Sequence, residues 1–597
     1  MRQVREHKED LLLRLPRLQW VLFGFLLLIA ARFWFVQVVS GDYYLEMAEN
    51  NRVRELPLKA PRGLIYERQG RLLAENVPSY NLMLDPSQSQ DLDRALTFAE
   101  RCLKEPASEL REALDEGGGV GSFRPILIAE ALSLSEVAAI EAAGLEFPEF
   151  TIEVGHLRLY RNGPITAHTL GYLGEVNERD LAREAQSLRP GDLIGRKGVE
   201  LAFDETLRGV DGQRAVIVDS RGRFKEEYGR DPAESGQALN LGLDLDLQQE
   251  AARYFEGKAG AAVALDPATG EIRAMVSAPS YNPNIFSRRL DRDAWRNLIE
   301  APQDPLQNRV IQNTYSPGSV FKIVMAAAGL SEGLIGPEET VWCGGSTRIY
   351  NRRWRCWKQA GHGHVSLHRA IKESCDVYFY HLGQELGITR IAEYSRQLGL
   401  GHPTGIDLLG EREGLVPDPE WSERRRGTPW YPGETISVAI GQGPVLVTPL
   451  QIASLMASVA SLGTQVTPRV AADSSVVEKR QLPVEPWIFE RIGAALWSVV
   501  NDQRGTGYAA KVPGIEVAGK TGTVQVVAQE TWIKSEDLPY EQRDHGWFAS
   551  YATAGDRQLV VVVLVEHGGH GSTAAAPLAK RLYEIYFRDY LDNSQPS

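Results

Sequence analysis

Residues 18–39 constrain this chain more than any other stretch. Leu18 to Ala31 carries no charge, and Phe33 to Val39 extends the apolar run past a single Arg32. That is about the ~20 residues a helix needs to cross a bilayer. The preceding segment holds Arg2, Arg5, Lys8, Arg14 and Arg17 against Glu6, Glu9 and Asp10, so it is the flank expected to stay cytoplasmic. A cleaved signal peptide would exit at Ala30-Ala31, but the bulky Phe33-Trp34-Phe35 that follows suits a membrane interface better. Arg32, near the outer end, can snorkel to the headgroups. The reading is a single-pass anchor in the cytoplasmic (inner) membrane, with everything after about residue 40 extracytoplasmic. The seven-residue run at 559–565 is too short to span and reads as a buried strand.

The 597 residues exceed one hydrophobic core, so two or three domains are expected. A net charge of −13 argues against nucleic acid as a partner. Residues 40–235 alternate short strands with helices and contain no nucleophile–base pair or metal spacing. One helix is expected over 92–113 and another over 132–144 with Ser133 or Ser135 as its cap, and Gly117-Gly118-Gly119 reads as a hinge or loop tip. This region reads as an elongated pedestal or interaction domain. A boundary is expected near 231–237. Beyond it, strands at 261–265 and 271–277 flank an Asp266-Pro-Ala-Thr-Gly hairpin signal. Helices then dominate to about residue 500, strands return at 515–527, 546–551 and 559–566, and a helix at 577–590 closes the chain. The expected class is α+β, with a central antiparallel sheet packed between helices. The divisions are a tail (1–17), a membrane helix (18–39), the pedestal (40–235), a catalytic domain (236–592) and a short tail (593–597).

Residues 315–322 read Tyr-Ser-Pro-Gly-Ser-Val-Phe-Lys and run on into Ile-Val-Met-Ala-Ala-Ala. A Pro-Gly turn before a run of helix formers puts Ser319 on the first turn of a buried helix. Lys322, three residues on, shares its face. A serine hydroxyl needs a neighbouring base before it attacks, and a desolvated lysine can supply one. Ser-x-x-Lys alone is weak evidence in a chain this long. Two further motifs raise its weight: Ser374-Cys375-Asp376 opens a second helical run, and Lys520-Thr521-Gly522-Thr523 lies in a strand.

The order Ser-x-x-Lys, Ser-x-Asn/Asp, Lys-Thr-Gly resembles the penicillin-binding proteins, and among them the class B transpeptidases. Ala60-Pro-Arg-Gly, Gly198-Val-Glu, Ala264-Leu-Asp-Pro-Ala-Thr-Gly-Glu, Ile440-Gly-Gln-Gly and His545-Gly-Trp-Phe look like the same family. Trp430-Tyr-Pro-Gly-Glu and Arg355-Cys-Trp-Lys look most like its elongation-type members, with the division-type members and a D,D-carboxypeptidase as competitors. The resemblance implies a peptidoglycan D,D-transpeptidase of wall elongation and rod shape, also acylated by penicillin. In it Ser319 attacks between the terminal D-alanines of a stem peptide, Lys322 is the base, and Ser374 shuttles the proton. Lys520, Thr521 and Thr523 hold the donor carboxylate, Gly522 admits the substrate along the strand, and the Ser319 and Thr523 amides form the oxyanion hole. Asp376 stands where the broader family has Asn. A carboxylate there raises the pKa of a neighbouring lysine, against what the mechanism wants. The implied partners are stem peptides, the membrane, a SEDS-type glycosyltransferase (RodA) and rod-complex proteins. A β-lactamase reading lacks support, given the anchor and pedestal. A sensor would need more than 17 cytoplasmic residues.

The spacing Cys343-x12-Cys356-x5-His362-x12-Cys375 supplies three thiolates and an imidazole, a full tetrahedral set for a structural Zn²⁺. A disulfide is the alternative in an oxidising compartment. His364 is a second imidazole near the same set. Cys375 sits inside the Ser-Cys-Asp motif, so a metal there would brace Ser374 and Asp376 without entering the chemistry. The pair His567/His570 reads as a surface loop.

Overall fold

A computed structural model describes residues 2–43, 53–116, 125–183, 188–189, 191–218, 224–288, 292–336, 338–472, 477–527 and 535–594. The chain opens with a long helix, α1 (Arg2–Trp34), continued by a wider turn over Phe35–Val39. Leu18–Val39 is long and apolar enough to cross a membrane, and the protein leaves it bare, with Trp20 73% and Phe25 66% exposed. Apolar side chains exposed all round a helix suit hydrocarbon rather than water.

The pedestal is built on one long ribbon. Leu72–Leu84 and Phe150–Tyr160 pair antiparallel from Ala74↔Tyr160 to Leu84↔Phe150, roughly 35 Å of ladder. At its far end, Ile126–Ala129 joins the sheet and a separate core forms around Leu82, Leu96, Leu114, Phe147 and Phe150. The helix expected over 92–113 is two, Leu92–Leu103 and Ala107–Glu116. The chain turns left-handed at Lys104 (φ 58) and meets Pro106 two residues later, which together end a helix. Leu134–Ala142 is capped by Ser133 in a reciprocal pair with Glu136. The three glycines at 117–119 lie outside the described residues.

The near end of the ribbon merges with the catalytic domain. Leu73, Tyr160, Leu170 and Leu207 belong to the same apolar core as the sheet beyond residue 260. The base of the pedestal is itself tied together by a buried ionic knot. Glu200 accepts from Arg62 Nε (2.6 Å) and Arg158 Nε (2.8 Å), and Asp204 accepts from Arg62 Nη2 (2.7 Å). Removing one partner from such a set strands a buried charge, at about 3–5 kcal/mol.

The elements that frame the catalytic domain are β1 (Gly260–Leu265), β2 (Ile272–Ala278), α2 (Lys322–Ser331), β3 (Ser346–Ile349), β4 (Arg352–Arg355), α3 (Asp376–Gln397), β5 (Glu516–Val524), β6 (His545–Ala554) and β7 (Arg557–Val565). Five strands form one antiparallel sheet in the order β2-β1-β7-β6-β5. Every residue of β1 and β2 is buried, as is β7 from Leu559 to Val565, so both faces of the sheet are covered. Leu245–Tyr254 and Ala576–Tyr586 pack on each other and on the sheet, and Pro449–Ala460 and Pro486–Asn501 make a second such pair. The expected strand at 515–527 stops at Val524, and the closing helix at 577–590 is interrupted at Phe587.

His168 lies at the joint between pedestal and catalytic domain, with its ring edge-on to Tyr281 at 5.2 Å. Burial first, and then the charges of Arg309 and Lys197, push its pKa down to about 3. A folded pKa below the unfolded ~6.5 means that the unfolded chain takes up the proton first. Its stabilisation is therefore present above pH 6.5 and is lost as pH falls toward 3. His168→Phe should lose less melting temperature than wild type between pH 7 and pH 5. Some loss remains, because His545 is depressed to about 4 by burial and by His567. Thermal melts across that range check this, and parallel curves for the two proteins would refute it.

Candidate active site

Ser319 lies in a tight 3₁₀ turn, Gly318–Phe321, that feeds α2. In that winding residues i and i+3 eclipse, which puts Ser319 and Lys322 on one side. The turn is held from three directions. Gly318 (φ +54) donates its amide to Gly441 O at 2.9 Å, and a Cβ on Gly441 would lie 2.1 Å from Gly318 O. Only glycine permits that approach. Trp547 Nε1 donates to Ser316 O at 3.1 Å. Tyr315 OH donates to Glu566 Oε1 at 2.6 Å, and the same carboxylate accepts from Arg309 Nε at 3.0 Å.

Lys322 is fully buried, and its amine points to the second motif. It donates to Asp376 Oδ1 (2.6 Å), Ser374 O (3.0 Å) and Ser374 Oγ (3.1 Å). Among the described residues none hydrogen-bonds the Ser319 hydroxyl, which is half-buried. Ser374 is held left-handed at φ 54, an uncommon conformation for a residue with a side chain. Its Oγ also lies 2.9 Å from Lys520 Nζ, so one hydroxyl bridges two lysines. Asp376 begins α3, where the helix dipole favours a carboxylate. Its Oδ2 accepts the backbone amide of Trp357 at 2.9 Å.

Lys520, Thr521, Gly522 and Thr523 lie on the edge strand β5, opposite Ala549, Phe548, Trp547 and Gly546. Thr521 shares a 2.7 Å hydrogen bond with Thr506, and Thr523 O lies beside Gly318. A Cβ at Gly522 would meet Trp547 and the carbonyl of Pro317, so glycine here also seats the strand against the serine turn. Burial first, then the like charge of Lys322, pushes the Lys520 amine well below the usual lysine range. Asp376 opposes that shift. Burial pushes the Asp376 carboxyl itself up, against the pull of Lys322.

Behind Ser374 and Asp376 sits the sulfur cluster. Cys343, Cys356, His362 and Cys375 are all buried, and their donor atoms lie within 4.8 Å of one another. His362 Nδ1 is 3.6 Å from Cys343 Sγ and 3.5 Å from Cys356 Sγ. The hydrogen bond from Cys375 holds the Cys356 thiol down, to about 3, and pushes Cys375 up in return. All the cysteines are unpaired thiols. His364 turns its ring to Trp342 at 5.0 Å and stays outside the group. His567 lies against His545, its amide donating to Nδ1 of that ring at 3.0 Å.

The roles of Trp357 and Glu566 were not legible in the sequence. One acts through its backbone amide, and the other is the turn residue that follows the apolar strand β7, with nothing to mark it. Trp547 was visible only as part of a resemblance.

A serine on a buried turn beside a Lys–Ser–Lys bridge defines a serine-type acyl-transfer enzyme. The comparisons agree. Residues 260–584 match the penicillin binding protein transpeptidase domain, and residues 57–241 the penicillin-binding protein dimerisation domain. The chain is 34% identical over 578 residues to the peptidoglycan D,D-transpeptidase MrdA of Acinetobacter baumannii, covering 94% of this chain and 85% of that one. Among solved structures, it is similar to the complex between penicillin-binding protein PBP2 and MreC from Helicobacter pylori (TM-score 0.78, 27% identity, 90% of this chain and 99% of that one). It is also similar to a chain of a peptidoglycan synthase complex that coordinates polymerisation and crosslinking (TM-score 0.71, 29% identity, 98% and 99%). The chain belongs to the penicillin-binding proteins, in their elongation-type branch with the peptidoglycan D,D-transpeptidases of the penicillin-binding protein 2 kind.

Asp376 accepts from Lys322 at 2.6 Å and its charge opposes the lowering of Lys520, so Asp376→Asn removes the anion that favours a proton on the Lys322–Ser374–Lys520 bridge. The ascending limb of the pH profile for acylation by a fluorescent penicillin should move to lower pH in this variant. An unchanged profile would show that the carboxylate does not tune the lysines.

Proposed function

We propose that Ser319 is the acylated nucleophile of this transpeptidase and that Ser374 Oγ, bridging Lys322 and Lys520, is the proton relay. The bridge is the observation that carries the reading. Two buried amines share one hydroxyl and have one carboxylate nearby, so one of them is neutral. Lys322 spends its donors on Asp376 and Ser374, as an ammonium does. It becomes a base by passing one proton to Ser374 Oγ while Ser374 passes its own to Lys520. Binding of the donor's terminal carboxylate beside Lys520, Thr521 and Thr523 draws the proton that way. Neutral Lys322 then takes the Ser319 proton as Oγ attacks the carbonyl between the two D-alanines. Ser374 returns a proton to the departing amine. The Ser319 and Thr523 amides take the oxyanion, where losing one donor typically costs ~10²–10³ in rate. An acceptor stem amine then attacks the ester and completes the cross-link.

Cys343, Cys356, His362 and Cys375 fit a structural zinc ion. Two ligands of a tetrahedral zinc, with Zn–S ~2.3 Å and Zn–N ~2.05 Å, lie about 3.6 Å apart. The His362–sulfur separations of 3.5 and 3.6 Å match. The ion supplies cohesion and no step of the reaction. It holds Cys356 and Cys375, the neighbours of Trp357 and Asp376, and so fixes the carboxylate that fixes Lys322.

The anchor reading is a single span at 18–39 in the inner membrane, with the pedestal (40–235) and catalytic domain (236–592) in the periplasm. The Helicobacter pylori neighbour is solved with MreC, and the other belongs to a peptidoglycan synthase complex. Those neighbours support rod-complex proteins and a glycan-polymerising partner here; the family resemblance adds that the polymerase is a RodA-type SEDS glycosyltransferase, with anchor and pedestal as the contact.

Fluorescent-penicillin labelling of the membrane-embedded full chain should disappear in Ser319→Ala. Equal labelling would refute the assignment. Metal analysis should find one zinc per chain, and chelation should lower both melting temperature and acylation rate. A metal-free, fully active protein would reject the zinc.

A further inference from the structure

The hairpin β3–β4 packs on α3, and its two faces differ sharply. Ser346↔Arg355, Thr347↔Trp354, Arg348↔Arg353 and Ile349↔Arg352 are the paired positions. One face is seated: Ile349 is buried, Thr347 hydrogen-bonds His381 of α3 at 3.1 Å, and Trp354 lies 5.6 Å from Tyr380. The other face carries Arg348, Arg353 and Arg355, all exposed, with Ser346 between them and bonded to Arg353. Arg348 and Arg353 are direct cross-strand neighbours, a placement that costs stability for like charges. Among the described residues neither makes an ion pair, in a protein whose net charge is −13. At the tip, Tyr350 (φ 46) and Asn351 (φ 61) make a left-handed two-residue turn. Asparagine suits that conformation, but a bulky aromatic does not. Tyr350 is nevertheless 52% exposed there, so packing does not explain it. From β4 the chain runs directly through Cys356 to Trp357, whose indole is 50% exposed and whose amide holds Asp376.

We infer that the outer face of this hairpin is the docking surface for the acceptor strand, a glycan bearing uncross-linked stem peptides. This rests on the transpeptidase reading above, in which the donor peptide lies along β5. Every uncross-linked stem ends in a carboxylate, and the arginine fork pairs with carboxylates bidentately. Exposed Tyr350 and Trp357 supply flat amphipathic rings for the sugar and peptide faces between those charges. Arg348 and Arg353 face each other across the hairpin and Arg355 lies two residues further along, so the face offers several forks to the carboxylates of one stem-bearing strand. Because the hairpin adjoins the residues that hold Lys322 and Ser374, a strand seated on it brings its amine to the acyl-enzyme from the α3 side.

The test is the triple variant Arg348→Gln/Arg353→Gln/Arg355→Gln of the full chain in nanodiscs. Fluorescent-penicillin acylation should stay within about twofold of wild type, because no donor-side group is touched. Co-sedimentation with purified uncross-linked glycan strands should weaken about tenfold, since exposed charge pairs contribute modestly each. Transpeptidation of those strands should fall with it. Wild-type binding should weaken with salt and with amidase-stripped strands that lack stem peptides. A variant that binds and cross-links strands like wild type overturns the inference. So does a variant whose only loss is binding to anionic phosphatidylglycerol vesicles, which would make the hairpin a membrane contact. Failure of the transpeptidase reading itself would show differently, as loss or displacement of penicillin acylation from Ser319 in the otherwise wild-type chain.

Discussion

One hydroxyl shared by two lysines is the constraint on which the catalytic domain turns. Ser374 Oγ lies 3.1 Å from Lys322 Nζ and 2.9 Å from Lys520 Nζ, so the amines sit roughly 5 Å apart. Two full charges bridged by one hydroxyl repel, the more so where burial removes the water that would screen them. The site cannot hold both protonated at neutral pH without cost. The carboxylate of Asp376 makes the pair unequal, because its 2.6 Å contact is with Lys322. Complete burial first, and then the like charge of Lys322, push Lys520 well below its usual range.

The rest of the fold keeps those groups in register. The three motifs come from a helical turn, a helix start and an edge strand that are far apart in the chain. Each is fixed by something rigid behind it. Trp547, Gly441 and the Tyr315–Glu566–Arg309 set hold the serine turn. The sheet holds Lys520, because β5 pairs along its whole length with β6. The sulfur cluster holds the Ser-Cys-Asp corner, where the backbone is strained at Ser374. Strain of that kind persists only where the surroundings over-determine it. The pedestal is not a loose neighbour, since its base shares the catalytic core and is stiffened by the Glu200 knot.

Much of this was legible in the sequence. The apolar run at 18–39 and the buried strands β1, β2 and β7 announce themselves by periodicity and length. The three motifs, in their order, carry the family resemblance that implies the chemistry. The Cys₃His set follows from spacing alone, and the structure gathers it from a ribbon, a loop and a helix start. What sequence could not give is direction. The spacing placed Lys322 beside Ser319, and nothing in it said that the amine would turn to Ser374 and Asp376. Nor could it show Trp357 acting through a backbone amide, since any residue but proline has one. The single helix expected over 92–113 failed because a left-handed turn at Lys104 is a backbone choice that lysine does not advertise. Of the arginine hairpin, only Arg355 belongs to a stretch that carries the resemblance. Its meaning depends on cross-strand register, which places Arg348 opposite Arg353 and leaves Ile349 inside.

The central claim is that Ser319, and not the equally polar Ser374 beside it, carries the acyl group. Peptide mapping by mass spectrometry after incubation with penicillin reads this directly. The account predicts a single penicilloyl adduct, on the peptide containing Ser319. An adduct on Ser374, or on either lysine, would contradict it.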